Sequence, residues 1–93
     1  MLHHIALPGT YQPGTAYTPE GYAQEGFIHL CTPAQLPGVL ARYYHGLRPL
    51  HLLYLSDDIP GLKWEAATGG ELFPHLYRAI EDIDVQQLEV LET

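Results

Sequence analysis

Basic side chains are scarce in this sequence. Arg42, Arg48, Lys63 and Arg78 make 4, against 11 aspartates and glutamates, for a formal net charge of −7. Non-specific nucleic-acid binding requires several phosphates to be neutralised. Four scattered cations do not supply that, so the expectation is against a nucleic-acid partner. The acidic balance favours solubility and names no partner of its own. Cysteine is nearly absent. Cys31 stands alone, which excludes a disulfide framework within the chain and fits a reducing compartment. Long apolar runs are missing too. None approaches the ~20 residues that span a bilayer, and the first residues lack the basic region and apolar stretch of a signal peptide. The expectation is a cytoplasmic protein with no membrane partner.

Two further absences narrow the chemistry. Gly69-Gly70 does not match the glycine spacing of a phosphate-binding loop. The 6 histidines contain no pair four residues apart with a glutamate between, as a helical zinc-protease site requires. His3 and His4 are adjacent, so in a strand they point to opposite faces and cannot jointly chelate. A site drawing on His4, His29 and His75 is geometrically conceivable, but the expectation is no metal.

What is present suits one globular domain, residues 1–93, able to bury one modest core. The hydrophobic fraction is 46%, too high for a disordered chain. The organising stretch is Gly26-Phe27-Ile28-His29-Leu30-Cys31-Thr32-Pro33. It reads as a short buried strand running into a helix start. Alternation puts Phe27, His29 and Cys31 on one face and Ile28 and Leu30 on the other. A buried imidazole must have its nitrogens satisfied. His29 is therefore either a core histidine bonded to backbone or a strand-end group facing a pocket. Cys31 has the same two readings, a small buried hydrophobe or a nucleophile beside a histidine.

The other elements follow from local chemistry. Leu2–Leu7 is a first strand, with His4 on the face of Leu2 and Ala6, ended by Pro8-Gly9. Residues 9–26 form a loop with room for one helical turn, punctuated by Tyr11, Tyr17 and Tyr22, aromatics suited to covering a core edge. Thr32, Pro33 and Gln35 spell a helix start with a capping box, and Leu36, Val39, Leu40 and Tyr43 make its apolar stripe. Pro37-Gly38 weakens its first turns, and Gly46 is a stop. Leu50–Ser56 is a central strand in which His51 is structural. Leu62–Ala66, Phe73–Ile80 and Ile83–Leu91 are further strands. The second places Phe73, His75, Tyr77 and Ala79 on one face, and the third offers Leu88 and Val90 to the core. The order argues an α+β fold with a largely β core. Glu71, after two glycines, is either a solvated turn residue or a carboxylate placed to bind sugar hydroxyls or a ribosyl cation.

Four segments together resemble a known family: Leu2-His3-His4-Ile5, Glu25 through Pro33, Lys63-Trp64-Glu65, and Gly70-Glu71-Leu72-Phe73-Pro74-His75-Leu76-Tyr77. The family is domain of unknown function 952, and the resemblance covers nearly the whole chain. It implies a small version of the ADP-ribosyltransferase fold, a split β-sandwich with one main helix and a cleft between its sheets. By that resemblance His4, on the first strand, contacts the ribose side of NAD, His29 stands beside the nicotinamide, and Glu71 stands near the catalytic glutamate. The implied catalytic set is His4, His29 and Glu71. The implied NAD-binding set is His4, His29, Thr32, His75 and Tyr77. The function so implied is binding of NAD or an ADP-ribose-like nucleotide, with NAD-dependent ADP-ribosyl transfer or NAD cleavage at the nicotinamide–ribose bond. The alternative is a non-catalytic nucleotide-binding or structural module whose histidines are satisfied core residues.

Overall fold

A strand buried at every position needs cover on both faces, and β1 (Leu2–Ala6) is buried at all 5. Its Leu2 and Ala6 join one apolar cluster and its Ile5 another. The structure, a computed structural model, describes residues 1–92. After β1 come a short helix α1 (Tyr22–Glu25), β2 (Ile28–His29), α2 (Leu36–Tyr43), β3 (Leu50–Leu55), β4 (Leu62–Ala66), β5 (Leu72–Leu76), a 3₁₀ turn (Asp82–Asp84) and β6 (Val85–Leu91). They form two three-stranded antiparallel sheets, ordered β1-β3-β6 and β2-β5-β4. The α+β reading of the sequence agrees with this.

One extended segment joins the sheets. Ile28 and His29 pair with Leu76 and His75 of β5, and the Leu30 N–H donates to the Pro74 carbonyl at 3.0 Å. At Cys31 the same segment changes partner and exchanges two backbone hydrogen bonds with His3 of β1, at 2.8 and 2.9 Å. The two sheets are thus joined at a seam, where His3 of β1 bridges to Cys31 just beyond β2. Between them lie Leu2, Ile28, Leu53, Leu55, Leu76 and Ile80, closed at the edge by the loop residues Tyr11 and Tyr17. On the other side of the first sheet, α2 covers Ile5, Leu50 and Leu52 with Leu36, Val39 and Leu40. β3 feeds both clusters because its leucines alternate faces. No helix among the described residues is long and apolar enough to cross a membrane.

Several boundaries differ from the sequence reading. The capping box forms, with the Gln35 N–H donating to Thr32 Oγ1 at 3.1 Å and the Thr32 N–H to Gln35 Oε1 at 3.0 Å. The Leu36 N–H donates to the Thr32 carbonyl at 3.0 Å, but Pro37 has no N–H for the next ladder bond, so the regular helix starts only at Leu36. Tyr43 is exposed, and Tyr44, whose backbone leaves the helix at φ −127°, packs on the sheet instead. β5 ends at Leu76 rather than Ile80, and Ile80 turns back to pair with Tyr17. Leu88 and Val90 are exposed rather than core. They lie on β6, an edge strand from which only Val85 packs against the inter-sheet cluster. Ile83 is 90% exposed, in the 3₁₀ turn rather than a strand.

Leu40 is only half-buried. Leu40→Ala is therefore expected to cost about 1–2 kcal/mol, below the 2–5 kcal/mol of a fully buried leucine. Urea unfolding of the two proteins checks this, and a loss above about 3 kcal/mol would mean that α2 packs more deeply than described.

Candidate functional site

His4 and His29 are the two histidines on which a cleft reading depends, and the seam separates their rings. His4 is 6% exposed. Its Nδ1 lies 2.9 Å from the His29 carbonyl and its Nε2 2.9 Å from the Tyr17 hydroxyl. A carbonyl only accepts, so Nδ1 carries the proton. Burial pushes the ring's pKa down to about 4, so the ring is neutral and Nε2 accepts from the Tyr17 O–H. Burial also pushes Tyr17 up to about 12, which keeps its hydroxyl protonated to donate. His4 thus satisfies an edge carbonyl of β2 where the sheets part. Both nitrogens that a ribose would need are engaged within the protein. Cys31 is buried beside this seam, and burial raises its thiol to about 11, which is the hydrophobe reading rather than the nucleophile reading.

The His29 ring is on the opposite, exposed face, with 62% of its side chain accessible. There it meets His75, its register partner on β5, with ring centroids 5.2 Å apart at 78°. Each imidazole has a carboxylate. Glu65 Oε1 is 2.8 Å from His75 Nδ1 and also accepts the Tyr77 O–H. Glu25 approaches His29 Nε2 at 3.2 and 3.3 Å. Among the described residues, His75 Nε2 and His29 Nδ1 have no hydrogen-bond partner in the protein. Phe27 lies flat on His75, centroids 4.1 Å apart and planes at 14°, and its edge meets His29 at 4.9 Å. Lys63 stands over the Tyr77 ring at 5.1 Å. The hydrogen bonds from Tyr77 and His75 hold the Glu65 carboxyl below the usual carboxylate range, so it is ionised at neutral pH.

Local geometry explains the placement. Alternation along β5 puts Phe73 and His75 on the outer face while Pro74 and Leu76 face the core, and Tyr77, just past the strand end, continues the outer row. Glu65 reaches His75 diagonally, since the direct β4 partner of His75 is Lys63, and such diagonals are within reach of long side chains. Gly26, at φ 82°, ends α1 and turns the chain so that Glu25 and His29 meet. That φ is open to glycine and costly for a side chain with a Cβ.

Of the residues singled out in the sequence, His29, His75 and Tyr77 come together, and Phe27 joins them. Glu71 does not. It is four residues along the chain from His75, roughly 13 Å in an extended strand. Its carboxylate accepts from Gln35 Nε2 at 3.1 Å, beside a hollow of about 150 Å³ that Arg42 and Phe73 also line. The Thr32 hydroxyl is committed to the capping box. Glu25 and Glu65 were not legible as site residues. Glu65 needs the β4–β5 register, and the four-residue spacing of Glu25 and His29 becomes a signal only once the Gly26 turn is known. Among the described residues, no three His, Cys, Asp or Glu side chains are arranged to hold a metal ion.

Comparison with known proteins places the chain. Residues 9–88 match the model of a family described as protein of unknown function (DUF952), and the chain belongs to that family. The crystal structure of protein CC0527 from Caulobacter crescentus is similar, with 27% identity, a TM-score of 0.85, and coverage of 96% of this chain and 83% of that one. A double methionine mutant of CC0527 matches equally well. No curated protein matches the sequence.

Proposed function

We propose that the outer face of the β2-β5-β4 sheet binds a nucleoside-type ligand and that His29 and His75 act on its N-glycosidic bond as an acid–base pair. One observation carries this reading: two imidazoles in contact, each held at one nitrogen by a carboxylate and open at the other. Such a pair suits a reaction that removes a proton at one atom and delivers one at another. His75 Nε2 takes the proton of a water or acceptor hydroxyl as its oxygen bonds to the ribosyl C1′. The C1′–N bond breaks with its electron pair on the departing base. A base leaving a neutral nucleoside then takes a proton from His29, whereas nicotinamide leaves neutral and needs none. Glu25 and Glu65 favour the positive charge that develops on the ribosyl ring. Phe27 and Tyr77 supply ring faces to a base.

The two antiparallel sheets parting from one seam support the ADP-ribosyltransferase-like fold that the resemblance implies, and with it NAD or ADP-ribose among the ligands. Lys63 is the cation beside the pair and two carboxylates oppose a pyrophosphate, so the nucleoside portion is what this face recognises. His4 has a structural role in this reading, because both its nitrogens are already bonded. The lone thiol and acidic balance suit a cytoplasmic setting.

The test is a titration of adenosine, nicotinamide riboside, ADP-ribose and NAD against labelled protein, following the His29 and His75 imidazole signals, together with chromatography for released base. Phe27→Ala is expected to weaken binding about 5- to 100-fold through lost stacking. His29→Ala and His75→Ala are each expected to lower base release roughly 10²- to 10⁴-fold. Absence of any imidazole shift at millimolar ligand would overturn the reading. Shifts without base release would leave a non-catalytic binding module.

A further inference from the structure

The two histidine–carboxylate pairs are not equivalent, and the difference assigns their roles. His75 is 13% exposed at its side chain, and its Nδ1 meets Glu65 at 2.8 Å. His29 is 62% exposed, and its Nε2 meets Glu25 at 3.2 Å. Glu65 is itself held, since its Oε1 accepts from both His75 and Tyr77. We infer that Glu65 is a positioning residue: it fixes neutral His75 as the Nδ1–H tautomer and so aims the Nε2 lone pair outward as the proton acceptor of the pair. The inference rests on the acid–base reading of this face.

An ionised carboxylate only accepts, so the proton of a neutral His75 that bonds Glu65 must be on Nδ1. An imidazole free of constraint prefers the proton on Nε2, so the tautomer here is imposed. A hydrogen bond to a charged acceptor is strong enough to impose it. Phe27, flat against the ring at 4.1 Å, and the edge contact with His29 at 5.2 Å restrict its rotation. The charged and titratable groups beside the ring are Glu65 and Lys63 from β4, His29 from β2, and Tyr77 just past the end of β5. When Nε2 gains a proton, the imidazolium remains paired with Glu65 through the same Nδ1–H. The looser and more exposed His29 is then the group that exchanges protons with solvent and serves as donor.

Imidazole nitrogen NMR on the ligand-free protein tests this directly. In the parent, the neutral His75 signal should be Nδ1–H over Nε2–H by about tenfold or more. Glu65→Ala should reverse that preference, while Tyr77→Phe, which leaves the Glu65 bond in place, should keep it. If base release is found, Glu65→Ala should lower kcat with little change in KM. A parent His75 that is mainly Nε2–H overturns the assignment even if Glu65→Ala fails to fold. So does a Glu65→Ala protein with an unchanged tautomer. The tautomer measurements need no ligand. A failed nucleoside titration would therefore sink the proposed chemistry while the tautomer result stands or falls by itself.

Discussion

Lowering the pH from 7 to 4 is expected to cost the folded state about 3 kcal/mol through His4 alone. The ring is held neutral in the fold, with a pKa of about 4 against the ordinary 6.5. The unfolded chain takes up this proton near 6.5 and the folded chain does not. Between those values the unfolded state binds more protons, so stability rises with pH. The contribution is whole above about 6.5, is lost progressively as pH falls, and stops changing below about 4. Burial lowers His3 in the same direction and adds to the slope. Glu65 and Asp84, held low by their partners, add theirs at more acid pH, below the usual carboxylate range. His4→Gln isolates the His4 contribution, because glutamine offers a donor for the His29 carbonyl and an acceptor for the Tyr17 hydroxyl without titrating. Urea unfolding of parent and variant at pH 7, 5.5 and 4.5 should show a shallower dependence in the variant. Equal slopes would mean that His4 is not the buried neutral group described. If the variant does not fold, the parent decides: its His4 imidazole signal should stay neutral down to about pH 5.

Ile28→Ala is expected to lose about 2–5 kcal/mol, and Ile28→Val about 0.5–1.5 kcal/mol. β2 is a strand of 2 residues, too short for its ladder bonds to hold it. What anchors it is Ile28, 0% exposed and packed with Leu53 and Leu76 between the sheets. Since a domain of this kind has only about 5–15 kcal/mol in all, the alanine variant is expected to be marginal. It should also blunt the His29–His75 contact, because His29 follows directly on the same strand. Denaturant midpoints for the three proteins check the energies, and the imidazole signals check the coupling. A loss within about 0.5 kcal/mol for Ile28→Ala would place the residue on the surface.

Much of the candidate site was legible in pieces. His29, His75, Tyr77 and Phe27 each announce themselves as polar or aromatic groups alternating with buried residues, and alternation is a local property. Their convergence was not legible, because it depends on β2 pairing with β5 at the register that sets His29 opposite His75. A slip of one residue would have sent one ring to the core. A second register, of β4 on β5, brings Glu65 to His75 from a strand whose sequence shows only alternating charge. His4 shows the opposite case. Its strand pattern resembles that of His29, yet its ring faces the seam and not an open cleft.

What the sequence determined by itself were the features decided within a few residues of chain. These are the α+β order of elements, the capping box of Thr32 and Gln35, the double-faced apolar β3, and the absence of a disulfide framework. Each follows from side-chain period, hydrogen-bonding capacity or composition. Only the tertiary structure decided which strand was an edge, and so why Leu88 and Val90 are exposed. It also decided that Tyr44 rather than Tyr43 covers the sheet, that Glu71 lies with Gln35 away from the histidines, and that His4 and His29 part company at the seam. The physical reason is common to all of these. Burial and pairing depend on the neighbour across the sheet, and that neighbour is 25 residues away for His4 and the His29 carbonyl and 10 for His75 and Glu65.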